Sequence, residues 1–157
     1  MANSILDISK ITEYLSLSSK VTKKNVDEVL ELDPRLVISM IVQRKPPEAL
    51  EQPPRSVLWL RTFDFPLIPI PVRTLNRGVE VALPVIQDGH RVLVFCEGGR
   101  RRSVAMASCI LIGKGHSADE AMRLIKEQRD VADPYAWHIH RQIRKFESYW
   151  HENHPDG

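Results

Sequence analysis

The stretch from Arg91 to Ile112 constrains the fold of this chain more than any other. Val92-Leu93-Val94-Phe95 is an unbroken apolar run bounded by Asp88-Gly89 on one side and by glycines on the other, which reads as a strand buried on both faces. After a short loop rich in glycine and arginine, Ser103 to Ile112 is apolar almost all the way round, so as a helix it too must lie inside the protein. A buried strand leading at once into a buried helix needs covering layers on both sides of a sheet. That points to an α/β architecture.

The remaining segments fit such a layout. Ile11 to Leu17 reads as a short strand or strand pair, and Asn25 as the cap of a helix carrying Val26, Val29 and Leu30 and ending before Pro34. Leu36 to Val42 and Ser56 to Leu60 are further strands, separated by a surface loop, Arg44 to Arg55, that contains four prolines. Val72 to Gln87 has helical spacing, although Pro84 is expected to kink or split it. Ser117 and Glu120 form a capping box that opens an amphipathic helix with Ala121, Met122, Leu124 and Ile125 inward. Asp133 and Pro134 are expected to be the cap and first residue of a last helix, with Trp137, Ile139, Ile143, Phe146 and Trp150 on its buried side. The sum is a single domain with a central, mostly parallel sheet of about four to five strands flanked by helices, as expected for one chain of 157 residues.

Several function classes drop out on composition. Twenty-two Lys and Arg against twenty Asp and Glu leave a charge of +2, too balanced for a general nucleic-acid binder. Two cysteines, Cys96 and Cys109, make no disulfide framework, and a reducing, cytoplasmic setting is expected. Cys109 lies about 9 Å along a helix that begins at Ser103, too far for a bridge to Cys96. Met1 to Lys10 lacks the apolar core of a signal peptide, and Val104 to Ile112 is too short to span a bilayer. His138, His140, His151 and His154 are not spaced as metal ligands, and the glycines lack the pattern and lysine of a nucleotide-binding loop. No metal or cofactor is expected, and a monomer is.

Chemistry concentrates in Phe95-Cys96-Glu97-Gly98-Gly99-Arg100-Arg101-Arg102-Ser103. Glycines let the backbone curl so that successive N–H groups point inward, and the following helix contributes its unsatisfied N–H groups and positive dipole end. This is an oxyanion cradle, and a cysteine at the strand end faces the same field. The segment resembles the Cys-x5-Arg-Ser/Thr loop of the cysteine-dependent protein tyrosine phosphatases, in particular the compact dual-specificity class. By that resemblance Cys96 is the nucleophile that forms a cysteinyl phosphate, Arg102 grips two phosphoryl oxygens, and Ser103 eases departure of the thiolate. Glu97, Gly98, Gly99, Arg100, Arg101 and Arg102 would line the phosphate. The family's general acid lies on a loop about thirty residues upstream, which Asp64 matches at 32. The resemblance runs from the opening Ile11-Thr12-Glu13-Tyr14-Leu15 to Gln142–Glu147, giving a catalytic domain over residues 1–150 and a polar tail over 151–157.

The chain departs from that family in two places. Phe95 stands where the family usually has His, and Gly98 where it often has Ala. The resemblance implies phosphotyrosine, phosphoserine and phosphothreonine in proteins or peptides as substrates, with a phospholipid of the phosphoinositide type or an RNA 5′-phosphate as alternatives suggested by Arg100 and Arg101. A low-activity phosphate-binding module is the reading that Phe95 motivates. Two rival patterns fit less well. A sulfurtransferase loop would use Arg101 and want Ser or Thr at 102, and Asp133-Pro134-Tyr135 resembles the acid loop of low-molecular-weight tyrosine phosphatases, whose cysteine lies near the N-terminus.

Overall fold

A computed structural model describes residues 5–155. The first part of the Met1 to Lys10 segment and the last two residues of the tail lie outside it. Chain order is β1 (Ser9–Lys10), β2 (Leu15–Ser18), α1 (Val26–Leu32), β3 (Leu36–Ile41), a 3-10 turn (Glu48–Leu50), β4 (Ser56–Thr62), α2 (Val72–Gln87), β5 (Val92–Phe95), α3 (Arg102–Gly113), α4 (Ala118–Gln128) and α5 (Trp137–Asn153). The strands form one sheet in the order β1-β2-β5-β3-β4. β2, β5, β3 and β4 run parallel, and β1 pairs antiparallel with β2. β5, the strand read most strongly from sequence, sits at the centre.

Strand alternation divides the core in two. Leu15, Leu17, Leu36, Ile38, Met40, Val92, Val94 and Cys96 face the layer of α2 to α5, whereas Val37, Ile41, Leu93 and Phe95 face α1 and the 3-10 turn. α3 lies in the thick layer, buried from Arg102 through Ile112. α2 crosses it closely at Gly78, where a Cβ would overlap the thioether of Met106. The tail reading is modified, because α5 continues into it as far as Asn153.

The Ile11 to Leu17 segment belongs to a strand pair, one of its two expected forms: residues 11–14 turn the chain from β1 into β2, closed by Ile11 N–H donating to the Leu15 carbonyl at 2.8 Å. Three local expectations are corrected. Asn25 stands at the N-cap of α1 but does not cap it. Its side chain accepts from Thr22 N–H at 2.8 Å and donates to the Lys20 carbonyl at 3.0 Å, so it ties the preceding loop instead. Pro84 neither splits nor ends α2, which packs along α3 and runs on to Gln87 although the proline removes the donor to the Glu80 carbonyl. α5 begins at Trp137 with Ala136 as N-cap, so Asp133 is no cap and Trp137 is 60% exposed. Ile139, Ile143, Phe146 and Trp150 are buried as expected.

Candidate active site

The carboxyl end of β5 runs directly into the loop Cys96–Arg101, and α3 begins at Arg102. This is the place in an open parallel sheet where ligands bind, outside the carboxyl ends of the strands. Four of the loop's six carbonyls accept hydrogen bonds from neighbours. Glu97 O accepts from Lys20 N–H at 3.0 Å, Gly99 O from Arg129 Nε at 2.7 Å, Arg100 O from Asp133 N–H at 2.7 Å and Arg101 O from Ala105 N–H at 2.8 Å. By contrast, none of the backbone N–H groups of residues 97–102 has an acceptor among the described residues. A loop whose carbonyls are used and whose N–H groups are free is a nest for an anion.

Gly99 makes this curl possible. Its φ is +64°, and a Cβ there would lie 2.7 Å from the Ser18 carbonyl oxygen and overlap the Arg129 guanidinium. Gly98 has no such constraint, since a Cβ would meet only the Arg100 side chain, at 3.6 Å or more. Arg129, buried at the end of α4, also donates to Asp7 O at 2.9 Å, Ser9 Oγ at 3.0 Å and Asp7 Oδ2 at 2.7 Å. Sequence reading missed it, and a lone arginine in a last helical turn carries no signal for such a role. Burial pushes the Asp7 carboxyl up, but hydrogen bonds from Ser19 and Arg129 outweigh it and leave it below its ordinary value.

Cys96 is buried, with its Sγ 3.2 Å from Ser103 Oγ. Both cysteines are free thiols, as expected. Cys109 is fully enclosed in α3, where burial pushes its thiol well above the ordinary value. Arg102 is also buried. Its Nη1 donates to Met40 O at 3.1 Å and Thr62 O at 2.8 Å, the carbonyls at the ends of β3 and β4. Its Nε and Nη2 have no acceptor among the described residues, which leaves the side-on edge of the guanidinium for a bidentate oxyanion. Phe95 packs in the opposite cluster with Leu6, Val21, Val29 and Val37, so it serves as packing at that position.

The flanking charges are paired outside the nest. Glu97 binds Arg44 through both oxygens, at 3.1 and 3.2 Å, rather than turning onto the thiol. The Arg44 hydrogen bond, helped by Lys20 and Arg102, holds its carboxyl below the usual range against the effect of burial. Arg101 lies with Nε 3.0 Å from Asp133 Oδ2 and Nη1 3.6 Å from Asp64 Oδ2. The hydrogen bond to Asp133, with the charge of Asp64 added, raises the guanidinium above its ordinary value. Arg100 is exposed, its Nε 3.4 Å from Val131 O.

Asp64 follows β4 and comes to the same mouth. Arg101 thus links Asp64 to the Cys96–Arg101 loop, and a second residue that sequence reading did not assign to the site, after Arg129, joins it. His138, buried in the first turn of α5, places Nε2 2.7 Å from Asp64 Oδ1. Four residues on, Gln142 Nε2 donates to the Ile70 carbonyl at 2.7 Å. The two lie on one helix face and hold both ends of the segment that carries Asp64. A histidine in a helix whose start is misplaced by several residues gave no sign of this contact. No group of His, Cys, Asp and Glu suited to a metal occurs among the described residues.

Comparisons with known proteins bear on the fold. No family model matches the sequence. Mouse dual specificity phosphatase 28 is 38% identical over 65 residues, a match that covers 40% of this chain and 38% of the length of that protein. The crystal structure of a mouse putative dual specificity phosphatase complexed with zinc tungstate superposes with a TM-score of 0.81 over 93% of this chain and 89% of that one, at 23% identity. Human DUSP28 gives 0.78 at 22% identity, covering 90% and 93%. PTPMT1 in complex with PI(5)P gives 0.77 at 23% identity, covering 93% and 97%. The chain thus shares the fold of dual specificity phosphatase structures over nearly its whole length, and over 65 residues its sequence is similar to that of one such phosphatase, of which it spans well under half.

Proposed function

We propose that this chain is a phosphoric monoester hydrolase acting on phosphotyrosine, and on phosphoserine and phosphothreonine, through a cysteinyl-phosphate intermediate. The observation that carries the reading is the nest of free N–H groups around Cys96, with the open edge of Arg102 beside it. In the first step the Cys96 thiolate forms an S–P bond as the P–O bond to the leaving group breaks, and Asp64 gives that oxygen its proton. In the second, water gives a proton to the Asp64 carboxylate and forms an O–P bond. The S–P bond breaks, and Ser103 Oγ, 3.2 Å from Sγ, donates to the departing thiolate. Arg102 and the nest hold the three equatorial oxygens throughout, where negative charge is spread in the transition state.

Hydrolysis of para-nitrophenyl phosphate in the presence of a chelator tests this. Turnover is expected for wild type, to be abolished in Cys96→Ser, and to survive in a form independent of added metal. Turnover by Cys96→Ser would refute the mechanism. Asp64→Asn is expected to lose about a hundredfold or more on a phosphopeptide, the share of a positioned general acid.

A second reading, a phosphoinositide as substrate, is favoured by the cleft beside the loop. Lys20, Lys23, Lys24, Arg44 and Lys45 line a cavity of about 1060 Å³ whose floor includes Val21 and Val26. A panel of kcat/KM values on phosphopeptides, phosphoinositides and an RNA 5′-phosphate decides between them. A monomer in the reducing cytoplasm is the state proposed for the working enzyme. No helix among the described residues is long and apolar enough to cross a membrane.

A further inference from the structure

We infer that His138 is a positioning residue for the proton transfer at Asp64, holding Oδ1 so that Oδ2 is the oxygen that gives and takes the proton. The inference rests on the phosphatase reading above. A carboxyl acting first as acid and then as base must present one particular oxygen to the reacting bond, and a free carboxyl rotates between two equivalent ones. Here they are not equivalent. Oδ1 lies 2.7 Å from the Nε2 of a buried histidine, while Oδ2 faces the catalytic loop, where its neighbour is Arg101 Nη1 at 3.6 Å. Arg101 is itself held by Asp133 at 3.0 Å, so its contact with Oδ2 is the longer and looser of its two.

The supporting elements make the histidine specific to this task. The segment from Phe63 to Ile70 carries exposed Phe63, Phe65, Leu67 and Ile68, and little of it is anchored in the core before Ile70. Its links to α5 are His138 on the carboxylate and Gln142 on the Ile70 carbonyl, one turn apart. Gln142 holds the backbone, whereas His138 holds the reacting group. A proton on Nε2 would let His138 donate to Oδ1 in both protonation states of Asp64, so no proton need pass through the ring. The charged groups around the pair are Arg101 and Asp133 on the loop side and Arg141 and Lys145 along α5, which line the small cleft beneath Pro66 and Pro69 with His138.

The test compares His138→Leu, His138→Gln and His138→Asn, each in the wild-type and Asp64→Asn backgrounds. The two substrates are para-nitrophenyl phosphate, whose leaving group departs without a proton, and phenyl phosphate, which needs one. His138→Leu is expected to lower kcat/KM on phenyl phosphate about tenfold or more, part of the 10² to 10⁴ that a positioned acid supplies. Its effect on kcat/KM for para-nitrophenyl phosphate should stay below about twofold, because that quantity reports only the steps through P–O cleavage, where this leaving group needs no proton; the later hydrolysis of the cysteinyl phosphate, which uses Asp64 as base, is common to both substrates. His138→Gln, whose amide nitrogen reaches the place of Nε2, is expected to restore most of the loss, and the shorter Asn is not. This pair carries the test if the Leu variant does not fold. Equal loss on both substrates, no loss on either, or a loss undiminished in the Asp64→Asn background would overturn the role of His138. If Asp64→Asn itself leaves phenyl phosphate turnover unchanged, the acid assignment to Asp64 fails first.

Discussion

Replacing Gly99 by alanine, with Gly98→Ala as its control, separates the two loop glycines by a stability difference that follows from their surroundings. At Gly99 the φ of +64° costs an L-residue about 1–2 kcal/mol. The added methyl would also sit 2.7 Å from the Ser18 carbonyl oxygen, which is backbone at the end of β2 and can yield only if the strand moves. Forced overpacking of this kind costs about 1–3 kcal/mol. Together the terms predict a loss of about 2–5 kcal/mol, and at about 2–4 °C per kcal/mol for a domain of this size a fall in Tm of roughly 5 to 20 °C. Gly98→Ala meets nothing closer than 3.6 Å and reduces the freedom of the unfolded chain, so its Tm is expected to stay level or rise by a few degrees, about 0.4–1 kcal/mol. Calorimetry with and without inorganic phosphate reads both effects, since a ligand bound only by the native state raises Tm by mass action. Phosphate should protect wild type and Gly98→Ala alike and Gly99→Ala much less. A Gly99→Ala protein within about 1 °C of wild type would refute the reasoning, since that is under half the shift one kcal/mol produces.

Arg129→Met leaves the Gly99 carbonyl without its 2.7 Å donor, and a loss of about 3 kcal/mol with weakened phosphate protection is expected by the same calorimetry. Glu97 has its carboxyl held low by Arg44, so the stability this pair adds is present above the ordinary carboxylate pKa, about 4.3, and is lost as pH falls through the lowered value. The Tm gap between wild type and Arg44→Gln should therefore be open at neutral pH and close in acid. A gap that stays constant down to that range would show that the pair contributes nothing. Peptide mapping after iodoacetamide should find Cys109 unlabelled in the native protein and labelled on unfolding, because the thiol is fully enclosed and pushed up.

How far the sequence discloses this site varies with the range of the interaction. Cys96, the glycines, Arg102 and Ser103 are legible because strand end, loop and helix start are contiguous, and the chemistry follows from local spacing. Asp64 is legible only through resemblance, since nothing in its own neighbourhood distinguishes it from a surface carboxylate. His138 and Arg129 are illegible, because each works by reaching a partner 74 or 30 residues away. The misplacement of α5 has a related cause. Asp133-Pro134 is a good local start for a helix, but Arg101 claims the aspartate and its N–H goes to the Arg100 carbonyl, so helix formation waits three residues. Pro84 shows the opposite case, in which packing on α3 lets a helix tolerate a residue that local rules would break it at.

The outward-turned carbonyls of the Cys96–Arg101 loop have a kinetic and entropic consequence for anion binding. An unsupported glycine loop would have to order itself around each incoming anion, giving up conformational freedom at every turnover and binding correspondingly weakly. Here Lys20, Arg129 and Asp133 fix it from three separate parts of the chain during folding. Anion binding therefore comes close to docking on a rigid template, with little change in backbone order. Because those three anchors are widely separated in sequence, the template exists only when the domain is folded as a whole, and an isolated loop peptide would not possess it.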